Sequence, residues 1–332
     1  MIRSLVLLPS ILVLFATGCR GSGDSKANPA AAVDAAAAAS GSGASASAEL
    51  GPNTPANGTP LPAASVLGVV NPNNLPIYAG PTASIEGTIT VTGDPPAKVD
   101  ADFSRCPEAE AIYGKTFREG PALPDGSRPL ADALIVITGY SGYIVAERRA
   151  KKQIAIDGCA YSTRTVDLTF GQLLDVQNRD TKMHAPELAN HVMPALIVAP
   201  PGGDPVSVYP VAPGLTLLTD KMGPLWMVAD VYTVPQPLHT VTDRNGHYRI
   251  DGIPTERADH TPIDGDLEMN VTLRVLPRYV KKPLPRLTPG VVERVDAQLE
   301  NRPLPPAPDA GASAGAGSKK ADAGKKPVER LH

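Results

Sequence analysis

Cys159-Ala160-Tyr161-Ser162-Thr163-Arg164-Thr165-Val166-Asp167-Leu168-Thr169-Phe170-Gly171-Gln172-Leu173-Leu174-Asp175-Val176-Gln177-Asn178-Arg179-Asp180 leads, one residue on, into Lys182-Met183-His184. Val166, Leu168 and Phe170 alternate with Thr165, Asp167 and Thr169, the period-2 pattern of a strand with one apolar face. Gly171-Gln172 then turns the chain, and Leu174, Val176 and Asn178 begin a second alternation. Asn178-Arg179-Asp180 supplies turn formers at its end, with His184 just beyond. The stretch reads as a pair of sheet strands whose closing loop carries an imidazole.

The same alternation recurs on both sides. Ile85, Gly87, Ile89 and Val91 alternate with Glu86, Thr88, Thr90 and Thr92, and Gly93-Asp94-Pro95-Pro96 ends that strand. Leu134-Ile135-Val136-Ile137 is a continuous apolar run, as expected of a strand buried on both faces. Tyr143 to Glu147 is expected to continue the sheet, and Arg148-Arg149 with Lys151-Lys152 to form a charged turn. Short strands are expected at 196–199, 206–209, 215–218 and 226–232. Asn245-Gly246, between alternating segments over 240–254, is a strong hairpin signal. Leu267 to Val275 alternate as a last strand, and Val291 to Leu299 is expected to form one short amphipathic helix. Many short strands with turn residues between them predict an all-β, Greek-key sandwich over 81–277.

The order Cys, strand, Gly-Gln turn, strand, Asn-x-Asp, His resembles the cupredoxin-like periplasmic domains related to plastocyanin, amicyanin and the methylamine-utilisation proteins. Ile85-x-Gly87-x-Ile89 followed by Gly-x-Pro-Pro is similar to the first strand of that family. Thr242-Asp243-x-x-Gly246-x-Tyr248-x-Ile250 followed by Ile253-Pro254 resembles the closing hairpin of carboxypeptidase-regulatory-like domains. The resemblance implies that His184 stands where the family's first copper ligand stands. A blue-copper ion needs two imidazoles and a thiolate in a plane, with a weak axial Met. In the family the later ligands come from a Cys-x-x-His-Pro-x-Met loop, and the corresponding stretch is Lys221-Met222-Gly223-Pro224-Leu225-Trp226-Met227. Trp226-Met227 sets the register, which puts Lys221 at the Cys position and Pro224 at the His position. The expectation is a degenerate site and no cofactor. The alternative is a copper-binding or electron-transfer protein using His184 and Met227, helped by Met183, His191, Met193 and Met222, because thioether and imidazole suit Cu(I).

The N-terminus sets the compartment. Arg3, an apolar run from Leu5 to Phe15 and small residues before Cys19 read as a secretory signal peptide over 1–18, too short to span a bilayer as a helix. Cys19 directly after small residues resembles a lipobox, so the expected partner is the membrane, through a lipid on Cys19. Arg20 fits an outer-membrane destination, with the protein facing the periplasm or the surface. Residues 19–80 read as an Ala/Ser/Gly/Pro tether, disordered at least as far as Leu75, of roughly 40 Å average reach. Residues 278–332 read as a Pro/Ala/Lys-rich tail.

The chain has three Cys and a formal net charge of −3 with mixed signs, which argues against a nucleic-acid partner. With Cys19 acylated, Cys106 and Cys159 remain, and an oxidising compartment predicts a disulfide between them. No haem, zinc or phosphate-binding motif is present, nor G-x-S-x-G or H-E-x-x-H. Asp157, Asp167, Asp175 and Asp180 are expected on solvated strand faces or at strand ends. A carboxylate pair needs no local motif, but the reading is a non-enzymatic binding or structural module with an envelope partner.

Overall fold

The computed structural model describes residues 61–146, 152–189 and 197–302. In chain order these form helix α1 (Ala63–Val70), strand β1 (Thr82–Gly93), a 3-10 turn (Pro107–Ala109) and helix α2 (Glu110–Tyr113). Strands β2 (Arg128–Pro129), β3 (Leu134–Thr138), β4 (Lys152–Asp157), β5 (Ala160–Tyr161), β6 (Thr165–Thr169) and β7 (Leu174–Asn178) follow. Then come β8 (Pro186–Leu188), β9 (Val206–Val208), β10 (Gly214–Asp220), β11 (Ala229–Val234) and β12 (His239–Val241). The chain closes with β13 (His247–Pro254), β14 (Glu268–Thr272), β15 (Val280–Pro283), β16 (Val292–Arg294) and β17 (Ala297–Asn301). No helix among the described residues is long and apolar enough to cross a membrane.

The fold is all-β, as the alternation predicts, but the apolar residues gather into two principal cores rather than one. One sandwich is built from the two flanks of the chain. Its first sheet joins β1 to β13, β16, β17 and β2, and its second runs β12-β3-β14-β15. Ile85, Ile89 and Val91 of β1 face Ile135 and Ile137 of β3 and Met269 and Val271 of β14 across the core. Gly87 interrupts the inward row of β1 because a Cβ there would lie 2.1 Å from the Val295 carbonyl oxygen. The same carbonyl accepts the Tyr248 hydroxyl at 2.5 Å.

The second sandwich is inserted between β3 and β12, which pair antiparallel with each other. Its sheets run β5-β4-β7-β9 and β6-β11-β10-β8, with β4 parallel to β7 and β6 parallel to β11. Ile154, Ile156, Tyr161, Leu168, Leu174, Leu188 and Leu218 are buried between them. The stretch 159–184 therefore lies wholly in the inserted sandwich. Both sandwiches show the same alternation and no flexible-looking linker separates them in sequence, which is why 81–277 reads as one unit.

Several local expectations change. Residues 291–299 form β16 and β17 rather than a helix, because Val295, Ala297 and Leu299 alternate into the core beside β1. The described part of the expected tail is thus a piece of the first sandwich. The end of the expected tether is also ordered: α1 sets Val66 against Phe170, at the turn where Gly171 has φ +94°. Lys152 opens β4 rather than sitting in a turn, and Tyr143 makes only an isolated bridge to Ile77. The 226–232 strand begins at Ala229. The Asn245-Gly246 turn forms, with Asp243 accepting the amides of Asn245 at 2.8 Å and His247 at 2.9 Å. Its arms, however, enter opposite sheets instead of pairing as a hairpin.

The seam between the sandwiches is ionic. All five residues of β6 are buried, because Val166 and Leu168 fill its own core while Asp167 and Thr169 meet the other sandwich. The Asp167 carboxylate accepts His239 Nδ1–H at 2.6 Å and Lys152 Nζ–H at 2.8 Å, and His239 Nε2 meets Thr169 Oγ1 at 2.9 Å. Arg274 donates to Asp230 at 2.7 Å. Thr163 donates to Asp132 at 3.2 Å, and Arg118 grips the same carboxylate in a fork. Burial pushes Asp167 upward, but His239 and Lys152 outweigh it and hold its pKa at about 2. For Asp230 burial prevails over Arg274 and the shift is upward. Asp167 and Asp175, expected on solvated faces, are both buried; Asp175 accepts the Ser207 hydroxyl at 2.6 Å.

Candidate functional site

The end of the inserted sandwich around His184 is assembled by Asn178. Its Oδ1 accepts the Asp180 amide at 2.9 Å, and its Nδ2 donates to the carbonyls of Lys182 at 2.8 Å and Ala199 at 2.7 Å. This is the local turn chemistry expected of Asn at a strand end. It folds 179–183 back over the sandwich and brings Asp180 to the Cys159 amide, which it accepts at 3.1 Å. His184 is then fixed by reciprocal backbone bonds with Ala199.

Both nitrogens of the buried imidazole face carboxylates. Nδ1 bonds Asp220 Oδ2, and Nε2 lies 3.3 Å from Asp180 Oδ2. Asp220, the last residue of β10, has a fully buried side chain and also accepts the amides of Ala185 at 2.7 Å and Met222 at 3.0 Å. Burial pushes His184 downward, yet the hydrogen bonds and charges of Asp220 and Asp180 prevail and its pKa is raised. Asp220 is lowered for the mirror-image reason: burial opposes ionisation, while His184 and two amides favour it more. Carboxylates at both nitrogens favour the doubly protonated ring, in which each nitrogen can donate.

The described methionines singled out with His184 do not converge on it. Met227 is in the core of the inserted sandwich, among Leu168, Leu218 and Val231, where a flexible thioether fills space. Met183 and Met222 are exposed. His191, Met193 and Cys19 lie outside the described residues, as do the signal peptide, the tether as far as residue 60 and the tail from residue 303. Lys221 pairs with Glu187 at 2.7 Å on the surface. Among the described residues both Cys are in a disulfide, and Lys221 and Pro224 supply neither a thiolate nor an imidazole. Among the described residues, no group of three or more His, Cys, Asp or Glu side chains is arranged to hold a metal.

Cys106 and Cys159 form a disulfide, with Cα atoms 5.8 Å apart. Cys106 is buried at the start of the 3-10 turn, and Cys159 occupies the β4–β5 turn at φ +60°. Around the bond, Phe103 and Tyr113 pack on Trp226 at centroid distances of 4.8 and 5.4 Å. The bond therefore staples the β1–β2 connection of one sandwich to the other. Asp220 was invisible to sequence reasoning: its only local signal is a carboxylate at the end of an apolar strand.

No family model matches this chain, and no curated protein matches it. Among solved structures it is similar to a reduced amicyanin variant, at 17% identity over 30% of this chain and 97% of that one, with a TM-score of 0.22. It is also similar to auracyanin A, a "blue" copper protein from the green thermophilic photosynthetic bacterium Chloroflexus aurantiacus. There the identity is 14%, over 26% of this chain and 98% of that one, with a TM-score of 0.22.

Proposed function

We propose that this chain is a lipid-anchored protein of the bacterial cell envelope whose nested sandwiches act as a non-enzymatic binding or structural module. The observation that carries the reading is the Asp220–His184–Asp180 contact. The one imidazole at the position of a copper ligand serves as the cation of a buried ion cluster, so it stabilises the loop instead of presenting a lone pair. The seam and the disulfide support a rigid scaffold, since they lock one sandwich onto the other.

Copper titration tests this. Cu(II) is expected to give no intense blue charge-transfer band, because that band requires a copper-bound thiolate and both Cys of the described fold are in a disulfide. A strong band would overturn the reading. Cu(I) binding that His184→Ala abolishes would replace it with a copper-handling role. The anchor has its own test: wild type is expected in the detergent phase on partitioning and Cys19→Ala in the aqueous phase. Equal aqueous partitioning would make the protein a soluble secreted one.

A further inference from the structure

A cavity of about 350 Å³ opens beside α2, between the 97–99 segment, the 114–118 segment and the β12–β13 turn. Its wall is held by backbone bonds from Val99 to the Gly114 carbonyl at 3.0 Å and from Thr116 to the Ala97 carbonyl at 2.9 Å. The floor is apolar, made of the buried Phe117 and Ala131 with the half-buried Ile112. Three exposed cations, Lys98, Lys115 and Arg244, line it.

The charges do not cancel. Arg118 at the cavity edge is committed to Asp132 and Glu119 to Arg128, each through a close contact. Lys98, Lys115 and Arg244 form no ion pair among the described residues, and Glu110 is the one remaining carboxylate in the lining. A concave apolar surface with a few convergent charges is the usual form of a small-molecule site, and this volume is at the lower end of that range.

We infer that this cavity binds a small amphipathic anion, an oxyanion head on a short apolar body, with the head among Lys98, Lys115 and Arg244 and the body on Ile112, Phe117 and Ala131. The inference rests on the binding half of the proposed function and names a site remote in sequence from the His184 loop. Its test contains no metal, so its failure and that of the copper-free reading are separable.

Calorimetric titration of hexyl phosphate, hexanoate, inorganic phosphate and hexanol into the full chain is the experiment. Hexyl phosphate is expected to bind, with inorganic phosphate and hexanol each about tenfold weaker or more, because each engages one half of the cavity. Hexanoate shows whether the head must be a phosphate. The triple variant Lys98→Ala, Lys115→Ala, Arg244→Ala should lower hexyl phosphate affinity about tenfold or more at low salt, with the thermal midpoint unchanged because all three side chains are exposed and unpaired. Ile112→Ser should weaken it independently. No binding of either amphiphile, inorganic phosphate binding as tightly as hexyl phosphate, or a triple variant that binds normally would each overturn the inference.

Discussion

Asp167→Ala is expected to lower unfolding stability by about 3–5 kcal/mol, the range for breaking one side of a buried ion pair. The carboxylate is buried and serves two partners from different segments, His239 at 2.6 Å and Lys152 at 2.8 Å. Its loss strands the nearly buried His239 imidazole at the seam with Thr169 as its remaining partner. Lys152 has a 46% exposed side chain and can turn to solvent, so Lys152→Ala should cost at most about 1 kcal/mol. Burial, rather than the number of partners, decides the difference. Asp167 also fixes an acid limb. Its folded pKa of about 2 lies below the ordinary 3.8, so its contribution is present above that ordinary value and is lost as pH falls through about 2. The shift corresponds to about 2 kcal/mol. Urea midpoints between pH 2 and pH 7 would show it, and Asp167→Asn should flatten that limb. A loss under about 1 kcal/mol for Asp167→Ala, or an unchanged acid limb, would mean the seam is held by something else.

Sequence periodicity reported the strands well because their apolar rows face a core formed by near neighbours. Val166, Leu168, Leu174 and Val176 all point where their alternation puts them. The seam was illegible for the opposite reason. Thr165, Asp167 and Thr169 look like a solvent face, and what covers them includes β12, contributed some seventy residues later. A polar row is compatible with water or with a complementary polar partner, and local sequence does not distinguish the two. The same holds for 291–299, where a short mixed segment is helical or extended according to whether β1 offers it an edge. The disulfide was legible because it depends on compartment and cysteine number rather than on contacts. His184 stood out as the imidazole after Asn-x-Asp, but its role is set by Asp220, thirty-six residues away.

His184→Ala is expected to cost about 3–5 kcal/mol, since it leaves Asp220, whose side chain is fully buried, without its cation. His184→Gln should recover part of this by donating one neutral hydrogen bond, and Asp220→Asn should cost less than Asp220→Ala because its shape is kept. The pH dependence gives a sharper signature. The folded pKa of His184 is raised above 6.5, so its stabilisation is complete below 6.5 and is lost as pH rises through the folded value. Asp220 is lowered from 3.8, so its share is present above 3.8 and is lost on acidification. Wild type should therefore show a decline in stability on the alkaline side that His184→Ala lacks. The ring-proton resonances of His184 would report the titration directly. A metal-binding imidazole must be neutral, and metal binding releases its proton; a group stabilised as the cation resists that release. A His184 that titrates below 6.5, or a His184→Ala variant as stable as wild type across the pH range, would remove the ion cluster as the explanation for this loop and return the imidazole to the role of a free ligand.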